Sequence, residues 1–169
     1  MTHMTETSQT SQTTQTTQAR VLPPGIGAAV PAPAPGLPAI QVRLGVADAV
    51  GFSLVEYDVP AGFSPPPHLH RHTREGAVAY VLSGQLHYWF AEGDAVVGPG
   101  TVVHLPPGAW FRWANESDET ARMLCMFSPA GFEQFFVEVM QAAAAAGGDL
   151  RSVIAPLRAR YGDEDHPMS

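Results

Sequence analysis

Between about residue 39 and residue 127 the chain falls into eight short apolar-rich runs, AIQVRLGV, GFSLVEYDV, PPPHLHR, GAVAYVL, QLHYWFA, TVVHL, AWFRWAN and ARMLCMF, cut apart by Gly, Pro and Asp. Short runs bounded by turn formers read as the strands of an antiparallel sandwich or barrel. Ser83-Gly84 has the composition of a tight hairpin turn, and Glu92-Gly93-Asp94 that of another. In GFSLVEYDV the residues Phe52, Leu54 and Glu56 alternate with Ser53, Val55 and Tyr57, the period of a half-buried strand.

The flanks are different in kind. Residues 1–19 are a Thr/Gln/Ser tract with almost nothing to bury, the composition of a disordered tail. Residues 20–38 are rich in Pro, Ala and Gly and read as an extended arm, either a linker or a strap along the domain or toward a partner subunit. Residues 39–128 are the all-β domain. After it Ser128 is placed to cap a helix beginning at Pro129, with Phe132, Phe135, Phe136, Val139, Met140 and Ala143 on one face up to Gly147. Asp149 is placed to cap a second segment carrying Leu150, Val153, Ile154, Leu157 and Tyr161, interrupted or restarted at Pro156. The helices at 129–162 are expected on the outside of the barrel or across a homodimer interface, and 163–169 as a tail.

Composition narrows the partners. Only 15% of residues are charged, all nine basic residues are arginine and the formal charge is -7, so no basic stripe offers itself to nucleic acid. The single cysteine, Cys125, lies in an apolar run and reads as a buried thiol. No apolar run reaches the ~18 residues of a membrane span, and the N-terminus lacks the pattern of a signal peptide, which leaves the cytoplasm as the expected location.

The stretch GFSPPPHLHRHTREGAVAYVLSG carries the chemistry. His68 and His70 are two residues apart, so on a strand both leave the same face, about 7 Å apart. This stretch resembles the first motif of the cupin family: Gly62, FSPPP, His68, Leu69 and His70 follow its opening. Thirty residues on, Gly100, TVVHL, Pro106, Pro107, Gly108, Ala109, Trp110 and, after RWA, Asn115 follow the second motif. The C-terminal segments SPAGFEQFF and ARYG are similar to small cupins described as quercetin 2,3-dioxygenase-like. The resemblance implies an all-β fold, a double-stranded β-helix or jelly-roll barrel, with one or two C-terminal helices.

In the family a metal is held by two histidines and a glutamate of the first motif and a histidine of the second. Carried over, His68 and His70 match. Phe111 stands where the second-motif histidine belongs. The glutamate is open: four residues on from His70 gives Glu75, whereas six back from Gly84 gives Ala77. His72 and His104 are substitutes for a third ligand. With Glu75 the set favours Fe(II); imidazoles alone suit Zn, Ni or Cu, and Mn completes the divalent candidates. Whether a metal is bound at all stays open. Phe111 and Ala77 make the lumen more apolar, and with Trp113 and Tyr88 they outline a pocket for an aromatic or polyketide-like molecule. The resemblance therefore implies a small-molecule enzyme, oxygenating if a redox metal is bound and otherwise cyclising or isomerising with His68, His70 and Glu75 as acid–base groups. The alternative is a non-catalytic ligand-binding cupin that has lost its metal.

Overall fold

A computed structural model of the chain describes residues 19–65 and 68–167, and the Thr/Gln/Ser tract up to residue 18 lies outside them. The eight runs all become strands: β2 (Ala39–Leu44), β3 (Ser53–Val59), β4 (His70–His72), β5 (Gly76–Ser83), β6 (Leu86–Phe90), β8 (Val102–Leu105), β9 (Phe111–Ala114) and β10 (Ala121–Ser128). Three further strands, β1 (Ala28–Val30), β7 (Gly93–Val97) and β11 (Asp163–Asp165), two helices, α1 (Glu133–Ala145) and α2 (Leu150–Tyr161), and a short 3-10 turn at Val46–Asp48 complete the described elements.

The strands form two antiparallel sheets, β1-β2-β3-β10-β5-β8 and β11-β4-β9-β6-β7. Their inner faces share one core, with Val55, Tyr57 and Val59 from β3, Ala77, Ala79 and Val81 from β5, Leu86 and Tyr88 from β6, and Met123, Cys125 and Phe127 from β10. Strict alternation produces it: β3 and β10 bury every second residue. This is the jelly-roll architecture expected of the chain.

Two turns behave differently from each other. Phe90 pairs with Gly93, so β6 and β7 form a tight hairpin as the Glu92-Gly93-Asp94 stretch predicts. Ser83-Gly84 is not a hairpin: β5 belongs to the first sheet and β6 to the second, so the chain crosses between sheets there. Gly84 (φ 71°) passes against β10, where a Cβ would meet the Ala121 Cα at 2.7 Å.

The arm is a strap. β1 pairs with β2 at the sheet edge, and the Arg43 guanidinium donates to the carbonyls of Leu22 and Pro23. The first helix starts at Glu133 rather than Pro129, because Ser128 is still in the β-ladder opposite Gly76. Asp149 does cap α2, accepting from the amides of Arg151 and Ser152, and α2 runs on through Pro156 without a break.

The helices are not on the barrel's outside. α1 turns its aromatic face into the domain: Phe136 packs edge-on against Tyr57 at 5.3 Å, and Phe132 lies 5.0 Å from Phe127. Burying each of these rings is worth roughly 2 kcal/mol, more than the weak propensity of so short a helix. Behind it Tyr161 of α2 packs on Phe135, and its hydroxyl donates to Glu138. Residues 163–165, read from sequence as tail, form β11 and extend the second sheet beside β4. No helix among the described residues is long and apolar enough to cross a membrane.

Candidate functional site

The two sheets and the two helices enclose a cavity in which the centre of a water molecule has about 120 Å³ to move. Its wall is apolar over most of its extent. Tyr57, Phe111, Trp113, Phe127, Phe132 and Phe136 supply rings, and Ala77, Tyr88, Leu105 and Met123 fill between them. All four residues read from sequence as pocket lining, Ala77, Phe111, Trp113 and Tyr88, therefore border one space. Burial pushes the Tyr57 and Tyr88 phenols well above their ordinary range, so both stay protonated, and the Tyr88 hydroxyl donates to the Met123 sulfur at 3.6 Å.

One part of the wall is polar. His70 and His72 come from β4, and in the β11–β4 ladder Asp163 stands opposite His72. Ligand atoms of His70, His72 and Asp163 all lie within 4.8 Å of one another. Asp163 is held from behind by Arg158 of α2, whose Nε and Nη2 donate to the two carboxylate oxygens at 2.7 and 2.8 Å; Arg158 Nη1 reaches Asp165 at 2.6 Å. The guanidinium and the Asp163 carboxylate are both buried, so each supplies the counter-charge without which the other would be costly to bury.

Burial governs the protonation of this wall. It lowers the pKa of His70 and brings that of His72 down to about 4, so both imidazoles are neutral at pH 7 and offer a lone pair. His72 Nδ1 stands 3.2 Å from Glu75 Oε1, yet the two are off the line a hydrogen bond needs, and neither has another partner. Burial of Glu75 raises its carboxyl to about 7, so near neutrality it is poised between its two forms.

The sequence-derived candidates thus separate. His70, paired in sequence with His68, is brought together instead with His72; His68 is exposed and does not border the cavity. Glu75 lies behind His72 and not in the cavity wall. His104 is exposed, pairing with Val78 between β8 and β5, with its side chain away from the lumen. Asp163 was not foreseen. A signal for the histidines was present: counting back from Gly84, six residues reach Ala77 and four more reach His72, so the motif's second half selects His70-Arg71-His72. The forward count from Gly62 lands two residues early because seven residues, and not the motif's five, separate Gly62 from His70. For Asp163 no local pattern exists, since it meets His72 from 91 residues away.

Of the four ligand positions that the resemblance implies, two carry apolar side chains, Ala77 and Phe111; the Phe111 ring lies 4.3 Å from that of His70. The residues that remain nevertheless suit a divalent ion. The imidazoles are neutral, His72 Nδ1 is an unpartnered buried atom beside a carboxyl, and Asp163 keeps a second lone pair on each oxygen after Arg158 is satisfied. Two imidazoles and a carboxylate are a donor set for first-row transition metals.

Comparison with known proteins gives one family and a set of folds. The cupin domain family matches residues 55–127. Among solved structures the chain is similar to KdgF from Halomonas sp., at 17% identity over 60% of this chain and 87% of that one with a TM-score of 0.51. It is also similar to ectoine synthase from P. lautus, at 22% identity over 56% and 65% with a TM-score of 0.49. A third is a cupin-superfamily sugar phosphate isomerase from Silicibacter pomeroyi, at 20% identity over 54% and 59% with a TM-score of 0.48. The match spans less than two thirds of the last two proteins, and at these identities the likeness is one of fold. No curated protein matches the chain.

Proposed function

We propose that this chain, which belongs to the cupin superfamily through residues 55–127, is a small-molecule enzyme whose lumen takes a neutral, largely aromatic or polyketide-like molecule. The observation that carries the reading is the cavity itself: a wall of aromatic rings interrupted at one place by His70, His72 and Asp163. A polar group confined to one side of an apolar space orients a ligand as well as binding it.

The chain's residues divide the work. Phe111, Trp113, Phe132 and Phe136 exclude water and stack on flat ligand surface. The Arg158–Asp163 pair is internally neutral, so the lumen presents no uncompensated cation for a phosphate or a carboxylate, and a neutral ligand fits best. Tyr57 and Tyr88, held protonated, serve as hydroxyl donors to a ligand oxygen. His70, His72 and Asp163 would hold a divalent ion, Fe, Mn, Ni, Cu or Zn. Such an ion, when bound, supplies Lewis acidity toward a ligand oxygen and, if redox-active, oxygenation chemistry. Glu75, whose Oε1 lies 3.2 Å from His72 Nδ1, backs that ring as a nearby proton carrier, and its own proton leaves near neutrality. Cyclisation or isomerisation of an enolisable ring ketone needs a polarised oxygen and a nearby proton carrier, and these groups supply both.

The test is to titrate chelator-treated protein with neutral polycyclic phenols and ring ketones, with sugar phosphates as the contrast, following Trp113 fluorescence against a Trp113→Phe control. Ligands that bind are then incubated with metal-loaded protein and the products weighed. Unchanged mass with altered retention is expected for isomerisation, loss of water for cyclisation and gain of oxygen for oxygenation. Binding of the neutral set without any product would leave a ligand carrier, and preference for sugar phosphates would overturn the reading.

A further inference from the structure

The third ligand of the proposed ion site does not come from the barrel. His70 and His72 sit on β4, inside the second sheet, whereas Asp163 sits on β11, which follows α2 at the far end of the chain. The same terminal segment supplies part of the cavity wall, through Leu150, Ile154 and Arg158. It joins α1 through Gly147 and Gly148, both at positive φ (68° and 94°), and Gly162 (φ 75°) separates α2 from β11.

Its polar hold on the barrel is confined to β4 and its flanks: besides the three-residue β11–β4 ladder, Thr73 N donates to the Gly162 carbonyl at 2.9 Å, His166 N to the Leu69 carbonyl at 2.8 Å, and Arg71 pairs with Glu164 at 2.7 Å on the surface. The apolar hold comes from Leu150, Ile154 and Tyr161, packed on the core and on α1. Arg158 keeps the Asp163 carboxylate turned toward the histidines from within the segment itself.

From this placement we propose that a divalent ion acts as a clasp: by joining Asp163 to His70 and His72 it ties the α2–β11 segment to β4 and closes the cover over the lumen. The proposal rests on the ion site described above and adds its consequence for access. With the segment lifted, only two imidazoles remain, and a two-histidine site binds divalent metal weakly compared with a three-ligand one. An ion that prefers the closed form must stabilise that form by the same factor, because the coupling between two equilibria is reciprocal. Metal loading therefore slows exchange of whatever occupies the lumen, and removal of metal opens it.

The experiment is hydrogen exchange followed by mass spectrometry on the full chain, with chelator or with saturating Co(II), alongside calorimetric titration of Co(II). One equivalent of Co(II) is expected, with peptides spanning 150–165 exchanging at least ten times more slowly while those of β3 and β10 are unchanged. Asp163→Asn removes the protection. His70→Asn also removes it, and it leaves the Arg158–Asp163 pair in place, so loss there cannot be put down to an unpaired arginine. Stoichiometric binding with no slowing at 150–165, or with equal slowing throughout, overturns the clasp and leaves the ion site standing. No binding at all overturns the clasp and the ion site together. The aromatic-ligand reading is judged separately, on chelator-treated protein.

Discussion

Asp163 and His72 face each other across the β11–β4 ladder, so the last described strand brings a carboxylate to a histidine 91 residues earlier in the chain. The same carboxylate takes two hydrogen bonds from the buried Arg158 guanidinium. Replacing it with alanine would leave the guanidinium only its bond to the half-exposed Asp165, at a cost of up to about 3–5 kcal/mol, that of a buried pair broken on one side. Asp163→Ala is therefore expected to lower unfolding stability by that order, and Asp163→Asn by less, since an amide oxygen still accepts one bond. Urea unfolding of metal-free protein checks both, and equal stability of Asp163→Ala and native protein would contradict the buried pair.

Glu75 and His72 pull stability in opposite directions with pH. His72 has its folded pKa lowered from 6.5 to about 4, so between those values the unfolded chain binds the extra proton and stability rises with pH. His70, lowered for the same reason, adds to that slope. Glu75 is raised from 4.5 to about 7, so the folded chain holds the extra proton and stability falls as pH rises through that window. Native protein should show a shallow dependence between pH 4.5 and 6.5. Glu75→Gln should steepen the rise by roughly 1.4 kcal/mol per pH unit at most, the value for one proton. Urea midpoints of metal-free protein at pH 4.5, 5.5 and 6.5 measure it, and parallel curves for the two proteins would remove Glu75 from the buried cluster.

Much of this fold is written locally. Runs such as ARMLCMF and GFSLVEYDV alternate because one face of each strand is buried, and that period survives in the sequence without any knowledge of the neighbours. The cap at Asp149 is equally local, because the side chain needs only the two amides ahead of it. What the aromatic face of α1 packs against is a different question, since Phe132 and Phe136 would look the same on a barrel's outside, across a dimer or, as here, over the lumen. The histidine pair shows how little separates two readings. His68, His70 and His72 share one parity, so spacing alone does not distinguish them, and the choice is made by where β4 begins. Asp163 has no local signature at all, because β11 is three residues held by a partner strand and by Arg158.

Gly84 tests the crossing between the sheets. Its φ of 71° suits glycine, and a methyl group there would meet the Ala121 Cα at 2.7 Å and its Cβ at 2.9 Å. Backbone strain and a collision with a neighbouring strand act together, so Gly84→Ala should cost more than the roughly 1 kcal/mol typical of glycine positions with free space. Gly100 (φ 85°), in the same backbone region with nothing within 4 Å of where a Cβ would stand, is the control. Thermal unfolding of the two variants should rank Gly84→Ala well below Gly100→Ala; the reverse order would mean that Gly84 does not pass against β10.

Phe111 occupies the position of a family ligand, with its ring 4.3 Å from that of His70 and 5.4 Å from that of His72. Phe111→His puts a polar ring of smaller volume into the apolar side of the cluster. Without metal the new imidazole lacks a partner, and leaving it unsatisfied costs about 1–3 kcal/mol. With a divalent ion the same imidazole becomes a fourth donor beside His70, His72 and Asp163, and the loss turns into a gain. The variant should melt below native protein in chelator and rise more than native protein when Co(II) is added, with tighter Co(II) binding by titration. A variant destabilised equally in chelator and in Co(II) would show that the Phe111 side chain does not point at the ion site, and the lumen geometry around His70 would have to be redrawn.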